Sequence, residues 1–151
     1  MLREELNAAL KTSMKAKKER AVSTIRLILA SLKDRDINER SSGNMDGISD
    51  DEILKLLQSM VKQRNESISM YEKGGRLELA EQEREEIEVI KGFLPEQMSD
   101  ADIEKAVDGL IAKTGAESVK DIGKVMGGLR EGYAGRMDFA KAGALVKKRL
   151  A

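Results

Sequence analysis

The chain has 151 residues, enough for one domain or two small ones, and its 27 basic and 27 acidic side chains cancel, so no overall basic character announces a nucleic-acid partner. Charged residues make up 36% of the chain, above the ~25% of an average globular domain, and aromatics only 3%. The absence of histidine and cysteine excludes Ser-His and Cys-His nucleophiles, disulfides, and imidazole or thiolate metal sites.

A core without rings must be built from Leu, Ile, Val, Ala and the eight methionines, a composition suited to packed helices with charged outer faces. The N-terminal MLREELNAAL is charged from its third residue, unlike a signal peptide, and no apolar run approaches the ~18 residues of a membrane span. The expectation is a soluble cytoplasmic protein. Any catalysis would rest on carboxylates, Lys, Tyr or Ser.

In chain order, Leu2, Leu6, Leu10 and Met14 line a first helix. Val22, Ile25, Ile28, Leu29 and Leu32 line a second that fades near Arg40, and SSGNMDG (41–47) reads as a loop. Ser49 with Glu52 opens a third helix that runs inward through Ile53, Leu56, Leu57, Met60, Ile68 and Tyr71 to the break at Gly74-Gly75. A fourth spans LELAEQEREEIEVIKGF. Pro95, the only proline, forces residue 94 away from helical geometry and marks a boundary. Beyond it, Ser99 with Asp102 opens a fifth helix closed by Gly115, Ser118 with Asp121 opens a sixth, and Asp138 caps a seventh. No segment alternates with period two. The expected fold is all-α, with a four-helix N-terminal domain (1–94) and a smaller three-helix C-terminal domain (95–151).

On helical wheels, Arg64 falls inside the apolar stripe of the third helix and Glu83 inside that of the fourth. Both lie about nine or ten residues from the Gly74-Gly75 break, so an antiparallel hairpin brings them to the same height as a structural ion pair. The acidic run around them, with Glu81, Glu85, Glu86 and Glu88, reads as a solvated face.

GKVMGGLREGYAGRMD (123–138) combines five glycines with Lys124, Arg130 and Arg136, but it lacks the preceding strand and the Lys-Ser/Thr pair of a phosphate loop. Val119, Ile122, Met126, Leu129 and Tyr133 instead make one helical stripe. Gly123 and Gly127, four apart, then allow close approach of a second helix, and Gly132 or Gly135 supplies the left-handed turn. From Ser118 to the end, eight cations stand against three carboxylates, and residues 10–40 hold nine against four. Such excesses can neutralise phosphates, while four aromatic side chains are too few for a stacking platform.

The stretch LLQSMVKQRNESISMYEKGGRLELAEQEREEIEVIKGFLPEQMSDADIE, followed by GAESVKDIGKVMGGLREGYAGRMD and LVKKRL, resembles the YqeY family throughout. That family is related to the C-terminal region of the B subunit of the tRNA-dependent amidotransferase. The resemblance implies a helical N-terminal domain, and a C-terminal domain over 96–151 similar to an amidotransferase tail that helps grip tRNA. By position it implies RNA-binding roles for Lys120, Lys124, Gly127, Gly128, Arg130, Arg136 and Lys141. Nothing in the chain resembles a glutaminase. The expectation is therefore a noncatalytic accessory module that binds tRNA or a tRNA–enzyme complex, with no cofactor, metal or membrane. One alternative is a partner in glutamine-dependent amidation of aminoacyl-tRNA, a carbon-nitrogen ligase activity in which Glu83 or Lys124 works within a larger complex. Another is a helical protein-interaction module.

Overall fold

A computed structural model describes residues 2–151, and among them are seven α-helices and no strand. The helices are α1 (Leu2–Lys15), α2 (Glu19–Ser41), α3 (Asp50–Lys73), α4 (Leu77–Lys91), α5 (Asp100–Thr114), α6 (Ile122–Tyr133) and α7 (Phe139–Leu150). The chain divides into two compact units, one ending at Pro95 and the other running from Glu96 to Ala151.

In the first unit, α1 packs on α2, α3 pairs with α4, and α2 also lies against α4. Leu6, Ile28, Ile53, Leu57 and Ile90 are fully enclosed in its aliphatic core. The α1 stripe runs out before the helix does: Leu2 and Leu6 are buried, whereas Met14 is 50% exposed. The end of α1 is closed by its own backbone, because the carbonyls of Thr12, Ser13 and Met14 accept the N–H groups of Ala16, Lys18 and Lys17. The left-handed position in this motif (φ 56°) is occupied by Lys17, where glycine would be free of a strain of about 1 kcal/mol.

Asp36 ties the loop after α2 to α1. Its carboxylate accepts from Arg3 Nη2 at 2.6 Å and from the backbone N–H of Ile48 at 2.9 Å. Burial pushes this carboxyl up, but Arg3 and the Ile48 N–H together outweigh burial and hold it below the ordinary range. Gly47, at φ +84°, crosses so close that a Cβ there would stand 2.4 Å from Asp36 Oδ1.

Ser49 caps α3 by accepting from the Glu52 N–H at 3.3 Å, and Gly75 (φ 72°) turns the chain back into α4. Across this hairpin, Arg64 Nε lies 3.9 Å from Glu83 and only 2.9 Å from Glu86, while Nη1 donates to the Met60 carbonyl at 3.2 Å. Glu86 is thus no part of a solvated face, its side chain being 13% exposed. It sits roughly 60° round the helix from Glu83, and the long arginine side chain reaches that edge of the stripe. Farther out, Arg84 bridges Glu72 and Glu81, and Arg20 of α2 holds Glu85 at 3.1 Å.

In the second unit, α5, α6 and α7 pack on one another around Val107, Val125, Leu129, Met137 and Val146, all fully buried. Ser99 and Asp102 form a reciprocal cap on α5, and Gly115 ends that helix at φ 68°. Ser118 leads first into a short 3-10 turn, Val119–Asp121, so α6 begins later than the capping pattern implies. Val119 consequently lies off the core stripe and is 51% exposed.

Three buried or half-buried polar side chains of the first unit make its stability testable. Thr24 of α2 is fully buried and its Oγ1 has no hydrogen-bond partner. Thr24→Val should therefore raise the unfolding free energy by about 1 kcal/mol in denaturant titration. Burial, and then the adjacent Glu86 charge, push the Glu83 carboxyl above its ordinary value of 4.5, against the pull of Arg64. Its contribution is full below that value and is lost as pH rises through the raised one. Glu83→Gln should therefore gain roughly 0.3 kcal/mol at pH 7 and nothing near pH 3, whereas Glu86→Gln should lose about 1 kcal/mol at pH 7.

Candidate nucleic-acid interface

The region of interest is α6 with the turns on either side of it. Its buried side is set by Val125, Met126 and Leu129, which leaves Gly123, Lys124, Gly127, Arg130 and Glu131 exposed. At 100° per residue, Lys124 and Arg130 mark the two edges of an exposed arc of roughly 120°, with Gly123 and Gly127 between them. A Cβ built on either glycine would meet nothing within 4 Å. These two glycines therefore do not mediate helix packing, contrary to the expectation from their spacing. The close approach belongs to Gly128, where a Cβ would stand 2.7 Å from Leu110 Cδ2 of α5.

Lys120 lies exposed in the 3-10 turn that precedes α6. Beside it, Asp121 accepts the backbone N–H groups of Glu117 at 3.0 Å and Ser118 at 3.4 Å. Those two bonds, with a smaller contribution from the Lys124 charge, hold the Asp121 carboxyl below the ordinary range. Among the described residues, Lys120, Lys124 and Arg130 have no ion-pair partner. Glu131 is the one carboxylate on the exposed arc.

After α6, Gly135 takes the left-handed turn at φ 78°. The corner is pinned from the segment ahead of α5: Gln97 Nε2 donates to the Gly135 carbonyl at 2.6 Å, and the Met98 N–H to the Arg136 carbonyl at 2.9 Å. The Arg136 guanidinium lies over the Tyr133 ring, 6.0 Å from its centroid. Asp138 then caps α7, accepting from the N–H groups of Ala140 and Lys141.

Lys141 differs from the α6 cations, since its ammonium sits 3.2 Å from Asp100 of α5. Arg149 is likewise held by Asp108 at 2.9 Å and Glu104 at 3.4 Å. Of the seven positions singled out, Lys124, Gly127 and Arg130 share the exposed face of α6, Lys120 stands just before it and Arg136 just after. Gly128 is turned inward, and Lys141 is partnered on another helix. The pairing by α5 spans 41 residues or more and leaves no signal in local spacing.

Three relatives give a wider setting. An uncharacterized protein of Schizosaccharomyces pombe is 30% identical over 87 residues, 58% of this chain and 67% of its own. Altered inheritance of mitochondria protein 41, mitochondrial, is 29% identical in Vanderwaltozyma polyspora, over 78% of this chain and 64% of that protein. Its counterpart in Lachancea thermotolerans is 31% identical over 72% of this chain and 57% of that protein. This chain thus spans less than two thirds of the length of either protein 41. Their mitochondrial designation overturns the expectation of a cytoplasmic protein, which rested on the missing signal-peptide pattern and the missing membrane-length apolar run. No helix among the described residues is long and apolar enough to cross a membrane. A family model described as Yqey-like protein matches residues 3–150, and with nearly the whole chain covered, the protein belongs to the YqeY family.

Proposed function

We propose that the second unit is a noncatalytic RNA-binding module, directed at tRNA or a tRNA–enzyme complex, that acts through the exposed face of α6 and the corner after it. In this reading the two units divide the work: residues 1–94 form a helical scaffold, and residues 95–151 form a small domain of the kind found in the tail of the amidotransferase B subunit. The observation that carries it is the division of charge. Carboxylates of α5 neutralise Lys141 and Arg149, while Lys120, Lys124 and Arg130 form no ion pair among the described residues and Arg136 is steadied by a ring. Gly123 and Gly127 expose bare helix between the cations, and in a solvated helix each costs about 1 kcal/mol relative to alanine. A phosphate backbone can use both features, because cations release its counterions and a helix without side chains lets it come close. In this reading the chain stands beside the chemistry of aminoacyl-tRNA amidation as a grip on the substrate.

A second reading, docking of another protein, draws on Met70 and Leu77 near the α3–α4 turn, which are 73% and 65% exposed. Binding of the full chain to total tRNA, followed by anisotropy across a salt series, separates the two. The RNA reading expects affinity to fall steeply with salt, and Lys124→Glu with Arg136→Glu to weaken binding more than about tenfold. Unchanged affinity in that double variant would remove the assignment to this face. Gly127→Ala supplies an independent check: it should stabilise the fold by about 1 kcal/mol and yet weaken tRNA binding. A stabilised variant with full affinity would show that close backbone approach plays no part.

A further inference from the structure

The first unit carries a separate concentration of charge that the α6 face does not explain. Between residues 6 and 33, seven cations stand against one carboxylate, Glu19. Arg20 is held by Glu85, but Lys11, Lys15, Lys17 and Lys18 crowd the end of α1 and the turn into α2, exposed and with no ion-pair partner among the described residues.

Lysines at a helix C-terminus ordinarily serve the helix, by satisfying its last carbonyls and its dipole. Here the carbonyls of Thr12, Ser13 and Met14 are already taken by the backbone N–H groups of the turn. Two features of the cluster instead work against the fold. Lys11 and Lys15 are like charges one helical turn apart. Lys17 holds the left-handed position, at φ 56°, as the one non-glycine residue with positive φ among those described. What local stability remains for these lysines is the helix dipole, about 0.3–1 kcal/mol each, set against the like-charge repulsion and the left-handed strain; a ligand that rewards dense positive charge accounts for the crowding of four at one corner.

We propose that the α1–α2 corner, formed by Lys11, Lys15, Lys17 and Lys18, is a second nucleic-acid contact that grips the phosphate backbone of a structured RNA without reading its sequence. A lipid surface fits less well. Leu2 and Leu6 of α1 are committed to the core, and Met14 is the only large apolar side chain that α1 exposes, too little for interfacial insertion. That the RNA is tRNA rests on the function proposed above; the site itself rests on the corner alone.

The test uses the full chain, total tRNA and a salt series, with three variants beside the wild type. Lys11→Gln/Lys15→Gln/Lys18→Gln keeps good helix formers and should lower affinity by more than about tenfold, flattening the slope of log K against log salt by about 2. Lys17→Gly should raise Tm by about 2–4 °C through relief of the left-handed strain, while weakening binding about threefold. That opposite movement cannot come from unfolding. The third variant, Lys124→Glu/Arg136→Glu, reports on the α6 face. If the lysine variants bind like wild type while the α6 variant is weakened, the corner is not an RNA site and the α6 reading stands. If the lysine variants alone are weakened, the corner stands and the α6 assignment falls. Wild-type binding to phosphatidylserine-containing vesicles but not to RNA, lost on substitution of the lysines, would overturn the RNA assignment in favour of a membrane surface.

Discussion

Two phenylalanines and two tyrosines in 151 residues leave both cores of this chain to aliphatic side chains and methionine, and that constraint shapes the rest. An aliphatic side chain buries less surface than a ring, so each unit must bring several helices to one small core. The first gathers Leu6, Ile28, Ile53, Leu57 and Ile90 from four helices, and the second gathers Val107, Val125, Leu129 and Val146 from three. With so narrow an interior, most of each helix faces water, which is why charge is abundant and why its arrangement carries most of the specific information.

Charge is arranged differently in the two units. In the first, arginines tie helices together: Arg3 to Asp36 between α1 and α2, Arg20 to Glu85 between α2 and α4, Arg64 to Glu86 between α3 and α4. Planar guanidinium groups suit such half-buried links, and the lysines are left at the surface. In the second unit, α5 contributes carboxylates that engage Lys141 and Arg149 of α7. Exposed pairs of this kind add little stability. Their larger effect is on the distribution of charge: Lys141 and Arg149 are matched by carboxylates, while Lys124 and Arg130 of α6 and Lys147 and Lys148 of α7 are left without ion-pair partners among the described residues.

Elements governed by neighbours in sequence are legible in the sequence itself. Ser49, Ser99 and Asp138 cap the helices that their spacing implied, and Gly75, Gly115 and Gly135 take left-handed turns where the periodic stripes end. What sequence concealed depends on distant partners. Glu86 belongs to a run of carboxylates that looks solvated, and only the reach of Arg64 across the hairpin draws it in. Gly123, Gly127 and Gly128 were indistinguishable as glycines; the position of Leu110 decides that the third packs and the first two do not. Lys141 looked as available as Lys124 until α5 brought Asp100 beside it. Which cations of this unit are paired depends on that long-range pairing, so spacing along α6 alone could not define the candidate face.

The corner at Arg136 differs from the lysines around it in one further respect. Its main chain is fastened by the Met98 N–H and its guanidinium rests over Tyr133, so both root and tip of the side chain are steadied before any anion arrives. Lys124 of α6 and Lys120 of the turn before it have no comparable support and must surrender rotamer freedom on contact. A phosphate meeting this surface would be attracted by all of the cations, but ordered chiefly by one. Long-range attraction governs how fast a charged partner arrives, and preorganised contacts govern how long it stays. The lysines are thus suited to capture, and Arg136 to retention.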